Sequence, residues 1–202
     1  KTSKYLLCIA VIVITYNIVY NLADVMWTYK VKQIYQDSKS VNNYMNLITQ
    51  LTGVASVISA LFISGNVVRY FGWTTAALIT PIVWAVTSFG FFSGLILEKS
   101  VLVDMIYTFV GNPANLVLLI GSIQICVGRA CKYTVFDETK ELAFIPLTKD
   151  QKRKGKAVVD GIASRFGKSG GSLIYILLLM IVGDIALTIP YVSAIILIAM
   201  LC

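Results

Sequence analysis

Long apolar runs separated by short polar stretches make up most of this sequence. A helix that crosses a bilayer needs about 20 apolar residues. Six runs approach or exceed this length, at residues 5–27, 44–65, 73–97, 112–128, 157–182 and 185–202. The sixth run is short, and Gly111 and Pro113 interrupt the chain near the start of the fourth. The pattern predicts an all-α membrane protein whose residues 1–202 form one unit of six transmembrane helices.

Composition supports this class. Hydrophobic residues make up 57% of the chain and charged residues 13%, whereas soluble domains carry about 25% charged residues. The net charge is +7 and the chain contains no histidine, so the commonest general base and metal ligand is absent. We therefore predict no enzyme activity, no catalytic residue, no metal site and no cofactor. Because the first residue is Lys1 rather than Met, we expect the sequence to be part of a longer protein.

The basic residues are distributed unequally between the two predicted sides of the membrane. Eleven fall on the side of the chain termini: Lys1, Lys4, Arg69, Arg129, Lys132, Lys140, Lys149, Lys152, Arg153, Lys154 and Lys156. Four fall on the other side: Lys30, Lys32, Lys39 and Lys99. Since loops rich in Lys and Arg stay in the cytoplasm, both termini are predicted to be cytoplasmic. Arg165 and Lys168 lie inside the fifth predicted helix.

The most basic segment, residues 128–156, is predicted to be a cytoplasmic loop between the fourth and fifth helices. Its positive charge suits an anionic solute, or simply the anionic headgroups of the cytoplasmic leaflet. Nucleic-acid binding is not expected, because no soluble fold or aromatic platform accompanies the charge.

Several predicted helices carry polar residues on one face. In the first helix, Asn17, Asn21 and Asp24 are spaced by four and three residues, and in the fifth Asp160, Ser164 and Lys168 are spaced by four. Similar stripes occur in the second helix (Asn46, Gln50, Gly53) and in the fourth (Asn115, Ser122, Arg129). A polar group that faces lipid is costly, so these faces are expected to point into an interior. Hydrogen bonding between helices is the simpler explanation for Thr49, Thr52, Ser56 and Ser59, whereas Asp24 and Lys168 are predicted to be functional.

The stretch Gly167-Lys168-Ser169 resembles the end of a nucleotide-binding P-loop, but the rest of that motif is missing. The motif G-x-x-x-x-G-K-[ST] follows a strand and would need glycine at position 162, which is Ile162. We therefore exclude a P-loop ATPase site. Gly167, Gly170 and Gly171 are expected to let a neighbouring helix or a ligand approach the backbone closely, and Lys168 is suited to contact a phosphate there.

Three stretches resemble the ATP/ADP translocase family of plastids and obligate intracellular bacteria. Residues 16–27 (YNIVYNLADVMW) are similar to its YN-x-x-x-NL-x-E-x-x-W segment. Residues 132–147 (KYTVFDETKELAFIPL) resemble its KYSLFD…KEMAYIPL segment, and residues 154–171 resemble its KGKA…GKSGG segment. The resemblance covers essentially the whole chain, and it implies the C-terminal half of a twelve-helix, major-facilitator-like carrier.

The resemblance also implies a function and a set of residues. Asp24 and Lys168 match a glutamate and a lysine that are important for transport in the family, although Asp24 is one methylene shorter and Glu138 stands where the family usually has proline. ATP for ADP antiport by alternating access is expected, with Lys168 and either Arg165 or Arg129 neutralising phosphates. Tyr20 is available to stack on a base, although packing in the core is the simpler expectation for any single aromatic residue. The residues expected to bind the solute are Asp24, Lys168, Arg165, Arg129, Lys132, Asn17, Asn21 and Tyr20.

Other functions stay open at this point. The protein could carry another nucleotide or anionic metabolite with the same architecture, or be a membrane interaction or receptor module. Ionisable residues on interior faces speak against such a module, and an intramembrane enzyme would need a nucleophile and base pair that the sequence does not offer. The expected location is a bacterial inner membrane, or the plastid inner envelope in a plant or alga. The expected partners are the transported nucleotide, membrane lipids and the N-terminal half of the same carrier.

Overall fold

Helices account for nearly all of the computed structural model, which describes residues 2–97 and 113–201. Within these two ranges we number eight α-helices along the chain. They are α1 (Thr2–Ile34), α2 (Ser38–Ser59), α3 (Gly65–Leu97), α4 (Pro113–Cys131), α5 (Asp137–Ala143), α6 (Lys149–Lys156), α7 (Ser164–Val182) and α8 (Ile185–Leu201). The predicted all-α class is confirmed.

Five helical stretches in the described ranges are long and apolar enough to cross a membrane. They are Lys4–Ile34, Ser38–Phe62, Asn66–Leu97, Ala114–Ala143 and Lys149–Val182. The apolar helix Ile185–Met200 is shorter, as predicted for the sixth run. Each predicted run therefore corresponds to a helix, and the chain is an integral membrane protein of the multi-pass type. The predicted start of the fourth helix at residue 112 lies outside the described residues.

Three π-helical turns join consecutive helices without a loop. Ala60–Ser64 connects α2 to α3, Lys132–Phe136 connects α4 to α5, and Ala157–Ala163 connects α6 to α7. Such turns are rare and frequently occur at functional sites, because the widened backbone changes the direction in which side chains point. The first two of these turns pack against each other.

The predicted loop at residues 128–156 is largely helical, which corrects the conformation expected for it. α4 continues through the π-helical turn into α5 and ends at Ala143, and α6 begins at Lys149. Only residues 144–148 separate the two helical stretches. The hydropathy pattern placed the end of the fourth helix at residue 128, where the apolar run ends. Lys, Glu and Gln are also good helix formers, so the helix can continue beyond that point. Pro146 lies in the true connection, where its missing N–H interrupts helical hydrogen bonding.

The helix is broken at a single residue in the interval between the second and third predicted runs. Residues 65–71 are helical, and Gly72 has φ 79° and ψ 167°. Only glycine adopts this conformation readily, because any side chain would clash with the backbone. Gly183, with φ 79° and ψ −18°, ends α7 in the left-handed conformation, which also favours glycine. Glycine therefore determines where α3 is interrupted and where α7 ends.

α1 lies at the centre of the bundle, packed against α4, α7 and α8. Its side chains Val19, Leu22 and Val31 are fully buried. Trp27 Nε1 donates a hydrogen bond of 3.0 Å to Ser122 Oγ on α4, and the hydroxyl of Tyr44 on α2 lies 2.8 Å from the same oxygen. This buried polar contact fixes the relative positions of three helices. By contrast, Asn46, Gln50 and Gly53 on α2 and Asn115 on α4 are exposed, so these predicted interior residues lie on the surface of this unit.

Candidate functional site

An acid and a base from different helices meet within the bundle. Arg129, near the end of α4, donates a hydrogen bond of 2.9 Å from Nη2 to Oδ1 of Asp24 on α1. Its Nε donates to the hydroxyl of Tyr20, and its guanidinium lies 5.4 Å from the centre of the Tyr20 ring. The exposed fractions of the Arg129 and Asp24 side chains are 21% and 34%. The pair is therefore shielded from its surroundings on most sides but still open to a mobile ion or solute.

Positive charge accumulates next to this pair. The ammonium of Lys132 lies within electrostatic range of Arg129, Lys140 and Lys168, as well as the carboxylate of Asp137. We call Arg129, Lys132, Lys140 and Lys168 the basic cluster. It combines three residues from the helical stretch α4–α5 with one from α7. Bringing four cations together is unfavourable unless anions compensate them, because like charges repel strongly where little water is present.

Two of the four residues of the basic cluster form ion pairs with carboxylates of the protein. Arg129 is paired with Asp24, while Lys140 Nζ lies 3.2 Å from Asp137 Oδ1 and 2.9 Å from Asp160 Oδ1. Lys132 and Lys168 make no ion pair with any residue that the structure describes. The cluster therefore presents two cations whose charge is available to an anion from outside the fold.

Lys168 and Arg165 lie on the exposed side of α7. Lys168 is exposed and is separated from Asp160, whose carboxylate is occupied by Lys140. Arg165 is also exposed, and it contributes to an open groove of about 550 Å³. The groove is lined by Gly161, Ile162, Arg165, Phe166 and Ser169. Arg165 does not join the contact between Arg129 and Asp24, so the structure brings together Arg129, Lys132 and Lys168 and leaves Arg165 apart.

Asn17 and Asn21 lie where α1 and α7 touch. A Cβ atom at Gly167 would be 2.7 Å from Asn17 Cβ, and one at Gly171 would be 2.9 Å from Asn21 Cβ. The Ser172 hydroxyl donates a 3.2 Å hydrogen bond to Asn21 Oδ1. The glycines therefore accommodate a neighbouring helix. The three residues predicted to share one face of the first helix therefore contact different helices. Asn17 and Asn21 contact α7, whereas Asp24 binds Arg129 on α4.

Two residues of the site were not among those predicted from the sequence. Lys140 bridges Asp137 and Asp160, and Tyr133 is exposed beside Lys132, with its ring centre 5.0 Å from Lys132 Nζ. Both lie in the predicted basic loop, where no helical register was assigned. Had this stretch been taken as helical, the spacing of the charges at residues 129, 132, 137 and 140 would have indicated a common region of the helix surface.

The described residues form a bundle of membrane-spanning helices that holds several cations and the carboxylates paired with them. Charged groups within membrane-spanning segments are typical of membrane transport proteins. The comparison with protein families agrees with this class. The model of the TLC ATP/ADP transporter family matches residues 1–202, so the chain belongs to that family.

Individual relatives are considerably longer than this chain. It is 42% identical over 198 residues to ADP,ATP carrier protein 2 of Chlamydia pneumoniae, covering 98% of this chain and 37% of that protein. It is 36% identical over 197 residues to ADP,ATP carrier protein 1 of Rickettsia prowazekii, covering 96% of this chain and 39% of the relative. The chain thus spans less than half the length of these curated relatives. No solved structure matches it.

Proposed function

We propose that the full-length protein is a nucleotide antiporter that exchanges ATP for ADP. The observation that carries the proposal is the basic cluster, in which Lys132 and Lys168 repel each other electrostatically and neither forms an ion pair in the described part of the chain. Charged groups in membrane-spanning segments are expensive and mark solute pathways. A polyphosphate would supply the missing negative charge, and the family membership supports a nucleotide as its source.

In this proposal Asp24 is the internal counter-ion of Arg129, and a phosphate of the solute competes with it. Asp24 holds Arg129 in place when no phosphate is bound, which avoids an uncompensated cation in a region of low dielectric constant. When phosphates bind to Lys132 and Lys168, they attract Arg129 as well and weaken its bond to Asp24. We assign Asn17 and Asn21 to the packing of α1 against α7 and Arg165 to the entrance of the pathway.

The proposed mechanism is alternating access, in which this unit and the N-terminal half of the same carrier rock around a shared site. No covalent bond is broken, so the protein acts as a carrier and not as an enzyme. The exposed polar residues Asn46 and Gln50 of α2 and Lys168 of α7 would then face the N-terminal half. Membrane lipids cover the exposed apolar residues, and the proposed location is the bacterial inner membrane, or the plastid inner envelope for a plastid protein.

Uptake by proteoliposomes tests the function, and it requires the full-length carrier because this chain spans only 37% of the Chlamydia relative. Vesicles loaded with ADP, loaded with phosphate or left empty would receive labelled ATP. We expect ATP uptake to depend on internal ADP. Equal uptake into empty vesicles would contradict exchange. Failure to take up ATP, together with uptake of another anionic metabolite, would favour the alternative of a related carrier with a different solute.

A further inference from the structure

One aromatic ring beside the basic cluster has an exposed face. Tyr133 is 57% exposed and lies in the π-helical turn Lys132–Phe136, which joins α4 to α5. The Lys132 ammonium lies 5.0 Å from the centre of its ring, and the hydroxyl of Tyr20 is within electrostatic range. Tyr133 is therefore exposed and lies beside Lys132, one of the cations proposed to hold phosphate.

The two aromatic residues of α1 nearest to Arg129, Tyr16 and Tyr20, are committed to packing. Tyr16 stacks on Phe136 with ring centres 4.6 Å apart and meets Trp84 edge to face at 6.0 Å. Tyr20 meets Trp84 at 6.0 Å and carries the Arg129 guanidinium over its ring. Tyr133 makes no ring-to-ring contact within the described residues. Of these rings, Tyr133 is therefore the one with a surface available to a flat ligand.

We propose that Tyr133 binds the nucleobase of the transported solute by stacking, while Lys132 and Lys168 bind its phosphates. This inference rests on the proposed nucleotide transport. Every base presents a π face, and stacking on an aromatic side chain contributes substantially to nucleotide binding. Lys132 occupies one face of the Tyr133 ring as a cation–π partner, so the base stacks on the opposite face.

The test compares a ligand with a base to one without. Purified full-length carrier with Tyr133→Leu or Tyr133→Phe would be titrated with ATP and with inorganic tripolyphosphate. We expect Tyr133→Leu to weaken ATP binding about tenfold, the scale of one lost stacking contact. Tripolyphosphate affinity should stay unchanged, and Tyr133→Phe should bind both ligands as the wild type does, because it keeps the ring. Tyr70→Leu is the matched control, since Tyr70 is 74% exposed and lies 6.0 Å from the Arg69 guanidinium but outside the cluster.

The outcomes separate failure of this inference from failure of the proposed function. If wild-type protein binds ATP and Tyr133→Leu binds it equally well, Tyr133 only faces lipid and the inference is wrong. If Tyr133→Leu loses ATP and tripolyphosphate to the same extent, its role is structural and the inference is also wrong. If the wild type and the Tyr70→Leu control both fail to bind ATP, the nucleotide function itself fails and the base-binding role fails with it.

Discussion

Lys168 is the cation whose surroundings best suit a phosphate contact. It is exposed on α7, next to Gly167, and lies within electrostatic range of Lys132. Its nearest acid in sequence on that helical stretch, Asp160, is held by Lys140. Asp24 does not supply a counter-ion for Lys168 in this structure, because it binds Arg129.

We predict that Lys168→Ala weakens ATP binding by roughly 1.5–3 kcal/mol, the scale of a hydrogen bond to a charged group. Lys168→Arg should keep partial function, since it preserves the charge but changes its shape and hydration. Titration of the full-length carrier with ATP, ADP and adenosine measures both effects. An equal loss of affinity for adenosine would show that Lys168 has a structural role.

Asp24 is expected to act through its negative charge. Asp24→Asn should reduce exchange about tenfold or more, the effect of removing a charge from a partly buried ion pair, while folding is affected less because Arg129 retains Tyr20 as a partner. Asp24→Glu keeps the carboxylate and is the matched control. Proteoliposome exchange rates and thermal unfolding, measured on the same preparations, separate the two effects. Wild-type exchange by Asp24→Asn would contradict the assigned role.

At the scale of elements, the contact between α1 and α7 depends on the absence of side chains at two glycines. Gly167 approaches the carbonyl oxygen of Ile14 so closely that an added Cβ would lie 2.7 Å from it. That oxygen belongs to the backbone of the central helix and cannot move aside without displacing α1. Close approach through small residues is a common way for membrane helices to associate, because lipid provides no hydrophobic force between them.

Gly167→Ala should therefore destabilise the carrier by about 1–3 kcal/mol, as is typical of overpacked sites. Gly161→Ala is a close control on the same helical stretch, since nothing lies within 4 Å of its added Cβ. Thermal unfolding of full-length protein in detergent should show a lower transition temperature for the first variant and an unchanged or slightly higher one for the second. If the two transitions coincide, the helices do not pack as described.

For the whole molecule, the distribution of basic residues predicts which ends of the helices lie in the cytoplasm. The surface positions Lys39 and Lys152 lie on opposite predicted sides, and each is replaced by cysteine in full-length protein whose native cysteines are removed. A membrane-impermeant thiol reagent added to intact cells should label position 39, and label position 152 only after permeabilisation. The reason is that Lys and Arg are retained in the cytoplasm during insertion. Equal labelling of both positions in intact cells would contradict this topology.

The sequence alone determined the class of fold and the approximate positions of the membrane helices. It also predicted four of the charged residues that lie at the candidate site: Asp24, Arg129, Lys132 and Lys168. Backbone groups in lipid must bond within their own helix, so a long apolar run is sufficient to define a helix. The same local rule explains why Asp24 and Lys168 stood out, because charge within such a run is rare. Hydropathy did not predict the helices within residues 128–156, since a helix continues beyond its apolar part when polar residues also favour it.

Tertiary structure decided which groups meet. Arg129 and Asp24 are 105 positions apart, and no periodicity within one helix specifies that they pair. The rotation and packing of the helices also decide three other features. Lys140 pairs with Asp160, Lys30 is buried within the extended α1, and Tyr133 has a free face. Hydropathy is a property of one segment, whereas electrostatic pairing and close packing depend on distances between segments, and only the assembled bundle fixes these distances.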